Sequence, residues 1–218
     1  MPKSTFLNLP EDKKERITEV AIDEFAQHTF LNASINRIVE NAGIAKGSFY
    51  QYFEDKKDLY KYILEKSGEK KLESIADVMK NMKELDFFSL VRELYAAGVK
   101  FSLDSPKLSA ISLDFVKNCD SDLKKEIMGN NVPKSNKLFE DLLSDGIDKG
   151  DIKRDIDVKL VAYLITSLSI STSEYFINEV KEESDMEIMG LIDKTLDIIK
   201  NGIKAKKRPV KNVEDRFY

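Results

Sequence analysis

Apolar residues recur along most of this chain at intervals of three and four, and the strict alternation of a half-buried strand is nowhere sustained. Ile17, Val20, Ala21 and Phe25 form one apolar stripe. Pro10 suits the first turn of that helix, with Glu11 and Asp12 beside its positive dipole end. Ile35, Ile38, Val39 and Ala42 make a second, shorter face, with Ser34 at its N-cap position. Gly43 follows where a chain leaving a helix needs a left-handed residue, and a third short helix starts at Ala45 to Lys46. The spacing then predicts a long helix over 55–82, with Leu59, Tyr62, Ile63, Leu72, Ile75, Ala76 and Met79 inward. Further helices are predicted over 87–103, 108–117, 122–128, 134–149, 157–180 and 185–205, punctuated by Pro106, Pro133 and Gly150. The expected fold class is all-α.

Two short helices joined through a glycine turn are the signature of a helix-turn-helix, whose second helix enters the DNA major groove. The residues of 46–52 suit that task. Gly47 and Ser48 keep the front of the helix thin, and Ser48 can hydrogen-bond to base or phosphate. Lys46 can reach a phosphate or a guanine edge, and Gln51 has the amide geometry that reads adenine. Tyr50 and Tyr52 offer a ring with a hydroxyl at its tip for a phosphate, whereas Phe49 and Phe53 are expected in the core. The helix starts near Ser34 and Asp55 carry free N–H groups able to hold phosphates, and Ser34 and Arg37 are candidate DNA contacts beside the residues of the second helix.

The stretch from about residue 10 to 60 closely resembles the N-terminal domain of the TetR family of transcriptional regulators. The matching residues are Ile17, Ala21, Phe25 and Ala26, then Ile35, Ile38, Val39, Ala42, Gly43 and Ile44, then Lys46, Gly47, Ser48, Tyr50, Phe53, Lys56 and Leu59. The resemblance implies a DNA-binding domain over 1–54, a helical ligand-binding and dimerisation domain over 55–206 and a basic tail over 207–218. It also implies that Lys56 clamps the DNA backbone. One position departs from the pattern: Thr29 stands where the family usually has Gly. A β-branched residue is poorly suited to positive φ, so a variant turn is expected from His28 to Asn32, within a loop over 27–33.

Charge neither supports nor opposes this reading. The 218 residues carry a net charge of −4, and residues 1–60 hold eight Lys/Arg against ten Asp/Glu. Most of those acids lie from Glu11 to Glu24, on a supporting helix. From Ser34 to Phe53 the only acid is Glu40, opposed by Arg37 and Lys46, and a small contact surface is all that such a protein needs. One Cys (Cys119) and one His (His28) exclude an intrachain disulfide and a Cys/His zinc site, and no metal or cofactor is expected. No run reaches the ~18 apolar residues of a membrane span and no signal peptide is evident, so a cytoplasmic location is expected. The chain contains no GxGxxG, Walker A, HExxH, GxSxG or CxxC, and an enzyme is not expected.

In the C-terminal part, residues 160–177 are apolar on nearly all sides and rich in Ser and Thr, and Ile188, Met189, Ile192, Leu196, Ile199 and Ile203 form the next stripe. In the resembled family the last two helices pair with their copies, which implies a homodimer. Such a dimer sets two recognition helices ~34–36 Å apart on a near-palindromic operator in double-stranded DNA. A small, largely apolar effector is expected among the middle helices. Phe88, Tyr95, Phe101, Phe115, Asn118, Tyr163 and Ser167 are the candidates by type and placement. The segment from Lys200 to Lys211 has six cations and no acid, and reads as a solvated helix end. The function expected is a repressor released from its operator by that effector. The alternative is a small-molecule-binding or interaction protein with a degenerate DNA-binding domain.

Overall fold

The computed structural model describes residues 2–81, 85–128, 134–179 and 185–203. Among these residues the regular elements are all helices: α1 Ser4–Leu7, α2 Glu11–Asn32, α3 Ile35–Asn41, α4 Lys46–Tyr52, α5 Lys56–Asn81, α6 Phe87–Asp104, α7 Pro106–Asn118, α8 Ser121–Met128, α9 Lys134–Lys149, α10 Val158–Glu179 and α11 Asp185–Ile203. From α5 onward each end lies within two residues of the sequence expectation, as far as the described residues reach. The chain is all-α, with an N-terminal helix-turn-helix domain followed by a helical C-terminal domain. Residues 204–218, which include the basic tail expected over 207–218, lie outside the described residues.

One element lies outside the sequence expectations, and two local expectations need correction. A helical turn, α1, precedes Pro10. The loop expected over 27–33 is mostly helix, because α2 continues to Asn32 across a kink at Thr29. On α5 the inward face begins with Leu59, Tyr60 and Ile63, all fully buried, while Leu72 is 64% exposed and Ala76 also faces solvent. Tyr60 is drawn inward by aromatic neighbours distant in sequence, with ring centres 4.9 Å from Phe25 and 4.8 Å from Phe30.

The described residues form two compact units, one within 1–82 and 93–132, the other within 83–92 and 133–218. Neither unit ends at the 54/55 boundary expected from sequence. The helices before α5 bury too little apolar surface to stand alone, and α5 and α7 complete their core. That core runs from Phe6, Ile17, Phe25, Ile38, Phe49 and Phe53 through Leu59 and Ile63 to Ile111 and Phe115. Polar contacts fasten α7 to it. Ser67 Oγ lies 2.7 Å from Ser112 Oγ and donates to the Leu108 carbonyl at 3.2 Å. Lys107 pairs with Asp23, and the Phe30 N–H donates to Asp114 at 3.4 Å.

In the second unit α9, α10 and α11 pack through Leu143, Ala162, Ile165 and Ile192. Gly146 is required for a close approach, since a Cβ there would lie 2.8 Å from Ile152 Cγ1. Arg92 Nε donates to Asp193 at 2.6 Å. Among the described residues no helix is long and apolar enough to cross a membrane.

Candidate nucleic-acid interface

The turn between α3 and α4 is closed by its own backbone. Gly43 takes φ +62°, its N–H reaches Glu40 O at 3.1 Å, and the Ile44 N–H reaches Val39 O at 3.0 Å. This pair of bonds satisfies the last carbonyls of α3 and redirects the chain into α4. Helical periodicity then divides α4 into two faces. Phe49, Tyr52 and Phe53 are buried, while Lys46, Gly47, Tyr50 and Gln51 are exposed and Ser48 is half-buried. Tyr52 is therefore corrected from reader to core: it is 6% exposed, with its ring 6.0 Å from Phe6. Lys46, Gly47, Ser48, Tyr50 and Gln51 share the outward surface, as a groove-reading helix requires.

Behind this surface lies a buried acid. Glu24 is 5% exposed and accepts hydrogen bonds from Arg37 Nε at 2.9 Å and the Ser34 N–H at 2.7 Å. Arg37 also donates to Asn32 O at 2.9 Å. The guanidinium expected to meet DNA is thus engaged in fixing α3 to α2. Ser34 occupies the N-cap position of α3, but its hydroxyl makes no capping bond. Lys56 points its ammonium at the end of α2, donating to Leu31 O at 3.2 Å and Ala33 O at 2.9 Å and lying 4.8 Å from the centre of the Phe30 ring. Burial there pulls its pKa below the ordinary lysine value, against the opposing charge of Glu24. At the start of α5 the Asp58 N–H donates to Asp55 at 2.8 Å and the Glu54 N–H to Asp58 at 3.2 Å, so protein carboxylates hold donors expected to be open to phosphate.

Thr29 adopts φ 57° and ψ 171°. The residue takes the glycine-like backbone itself, in a region that costs roughly 1–3 kcal/mol for a β-branched side chain.

The seven effector candidates fall in both units. Tyr95, Phe101 and Phe115 are buried in the first, where Phe115 stacks edge-on to Tyr60 at 6.3 Å. Burial pushes the Tyr95 hydroxyl well above the usual phenol range. Asn118 is exposed and donates to Asp114 at 2.9 Å. In the second unit Phe88 meets Phe87 edge-on at 5.2 Å, with the Lys200 ammonium 5.7 Å from its ring centre. Ser167 is half-buried and Tyr163 is 58% exposed. The outward settings of Asn118 and Tyr163 are not those of cavity walls in a single chain. Among the described residues no group of three His, Cys, Asp or Glu could hold a metal ion.

Sequence reasoning missed Glu24 and the N-terminal segment. Glu24 had a signal: it lies three residues after Ala21 and beside Phe25, an acid on the apolar stripe. Lys3 and Thr5 had none, because their partners are backbone carbonyls of α4.

The model for bacterial regulatory proteins of the tetR family matches residues 17–63. The fatty acid metabolism regulator protein of Bacillus subtilis (strain 168) is 23% identical over 198 residues, covering 89% of this chain and 97% of that protein. A TetR family transcriptional regulator from Chloroflexus aurantiacus J-10-FL, known by crystal structure, is 29% identical with a TM-score of 0.73, covering 94% of this chain and all 100% of the other. The transcriptional regulator FadR from Bacillus subtilis, crystallised in complex with stearoyl-CoA, superposes with a TM-score of 0.68 at 19% identity, over 86% of this chain and 98% of its own. With the outward face of α4, the glycine turn before it and the family match across both, this chain is a DNA-binding transcriptional regulator of the TetR family.

Proposed function

We propose that the protein is a homodimeric repressor that leaves a near-palindromic operator when an acyl-coenzyme A thioester binds its helical C-terminal domain. The observation that carries the effector class is the reach of the likeness: it extends through nearly the whole of a fatty acid metabolism regulator and is not confined to the helix-turn-helix. An acyl tail agrees with a largely apolar ligand, and each buried methylene contributes about 0.8 kcal/mol. The coupling needed is modest, since ~1–3 kcal/mol between effector and DNA sites changes operator affinity roughly 5–150-fold. The dimer reading is supported by large apolar side chains left exposed on α10 and α11: Leu160, Tyr163, Leu164, Tyr175 and Ile198.

Footprinting and gel-shift on the DNA flanking the protein's own gene test this, with short- to long-chain acyl-CoAs added to the bound complex. A protected near-palindrome released by one range of chain lengths is the expected result. Release by none of them removes the acyl-CoA effector; absence of specific sites genome-wide removes the regulator role.

A further inference from the structure

We propose that the N-terminal segment Pro2–Leu7 is part of the DNA-reading machinery, acting as an external C-cap on the recognition helix, with Lys3 and Thr5 as positioning residues. The proposal rests on α4 being that helix. A helix leaves its last four carbonyls without partners, and one of only seven residues is too short to hold itself together in water. Here all four are satisfied. Phe49 O accepts from the Phe53 N–H at 2.8 Å, the one bond local to the helix. The other three are met from the N-terminal segment, more than forty residues away in sequence. Tyr50 O accepts from Lys3 Nζ at 2.9 Å, Gln51 O from the Thr5 hydroxyl, and Tyr52 O from the Lys3 N–H at 2.8 Å.

The segment is anchored for this work. Phe6 is fully buried, with ring centres 4.7 Å from Phe53 and 5.4 Å from Tyr62. Lys3 Nζ also pairs with Glu54 at 2.8 Å, and its positive charge lies at the negative end of the α4 dipole. Two of the capped carbonyls belong to Tyr50 and Gln51, whose side chains face outward. The cap therefore fixes the backbone from which those side chains reach the groove. The family match begins at residue 17, so this device lies outside it.

The test compares Thr5→Val, Thr5→Ser and Lys3→Met in the full-length protein. Each is followed by hydrogen–deuterium exchange of the Tyr50–Phe53 amides and by operator titration over a range of salt. Phe6 is left intact because its loss opens the core. Thr5→Val and Lys3→Met are expected to speed exchange at those amides and weaken operator binding about fivefold each, the scale of one hydrogen bond, with the salt slope unchanged. Thr5→Ser keeps the hydroxyl and is expected to restore both readouts. Unchanged exchange in Thr5→Val and Lys3→Met overturns the cap, and faster exchange with unchanged operator affinity overturns its role in reading. A salt slope lowered by about one in Lys3→Met, with exchange unchanged, makes Lys3 a phosphate contact instead. Exchange is measured without DNA, so failure to find an operator leaves the cap itself tested and counts against the regulator reading alone.

Discussion

Arg37 grips Glu24 in a forked contact, its Nε 2.9 and 3.0 Å from the two carboxylate oxygens, with the acid on α2 and the cation on α3. The two partners are unequal: Glu24 is 5% exposed and the Arg37 side chain 45%. Removing the cation strands a buried charge, whereas removing the acid's charge leaves Arg37 to water. Arg37→Met is therefore expected to destabilise the protein more than Glu24→Gln does, measured by urea unfolding. Equal losses would contradict this asymmetry. Because the guanidinium is engaged within the protein, Arg37→Met should also leave the salt slope of operator binding unchanged.

The same pair sets an acid dependence. Burial acts to raise the Glu24 carboxyl, but the Arg37 hydrogen bond, the Ser34 N–H and the nearby positive charges outweigh it and hold the group below its ordinary 4.5. A carboxyl depressed on folding contributes stability that is complete above its unfolded pKa and disappears as pH falls through the folded value. Wild-type protein should thus lose stability more steeply than Glu24→Gln below that ordinary value. Unfolding curves of the two at successively lower pH check this, and parallel pH dependences would rule it out.

How far these features could be read in the sequence depended on the range of the interactions behind them. The α3–Gly43–α4 turn was fully legible, because a seven-residue helix, a left-handed glycine and the next helix are local matters. Tyr50 and Tyr52 were not separated by residue type; the separation comes from phase, since Tyr52 follows Phe49 by three positions and shares its buried side. In sequence Lys56 reads as a DNA clamp; its partners, the Leu31 and Ala33 carbonyls, depend on α2 extending to Asn32, past its expected end. Phe115 gave no sign that α7 closes the core of the DNA-binding end, a relation set by packing across more than fifty residues.

Thr29 supplies a prediction of opposite sign. Its φ of 57° is a glycine conformation, and Thr29→Gly relieves that strain while adding freedom to the unfolded chain. Relief of roughly 1–3 kcal/mol against an entropy cost of roughly 0.5–1 kcal/mol gives a net gain of about 1 kcal/mol. Thermal unfolding should show a raised Tm, and a lowered Tm would mean that Thr29 makes compensating contacts.

On α4, Gln51 and Lys46 should fail in different ways. Gln51→Ala is expected to lose about 1–3 kcal/mol on the best operator and to relax preference at a single base position, since amide readout is base-specific. Lys46→Ala should weaken all sequences alike and lower the salt slope by about one if its ammonium meets a phosphate. Titration against a panel of single-base operator variants at several salt concentrations separates the two. A uniform loss for Gln51→Ala would remove it as a reader.

The apolar face of α10 carries the last prediction. Leu160, Tyr163, Leu164 and Tyr175 are 53%, 58%, 46% and 53% exposed, and their spacing places them on one side of the helix; Ile198 on α11 is 72% exposed. Burying one such side chain contributes roughly 1.5–3 kcal/mol, so a face of this size has a strong drive to find a partner. In a two-fold interface every substitution is present twice, and Leu164→Glu would set two like charges into the same apolar surface. The variant is expected to run as a monomer in light-scattering chromatography at micromolar concentration while keeping its helical circular dichroism. Its operator affinity should fall to the non-specific level, because the second half-site about 34–36 Å away is then bound independently. A Leu164→Glu protein that stays dimeric and binds its operator normally would move the interface off this face of α10.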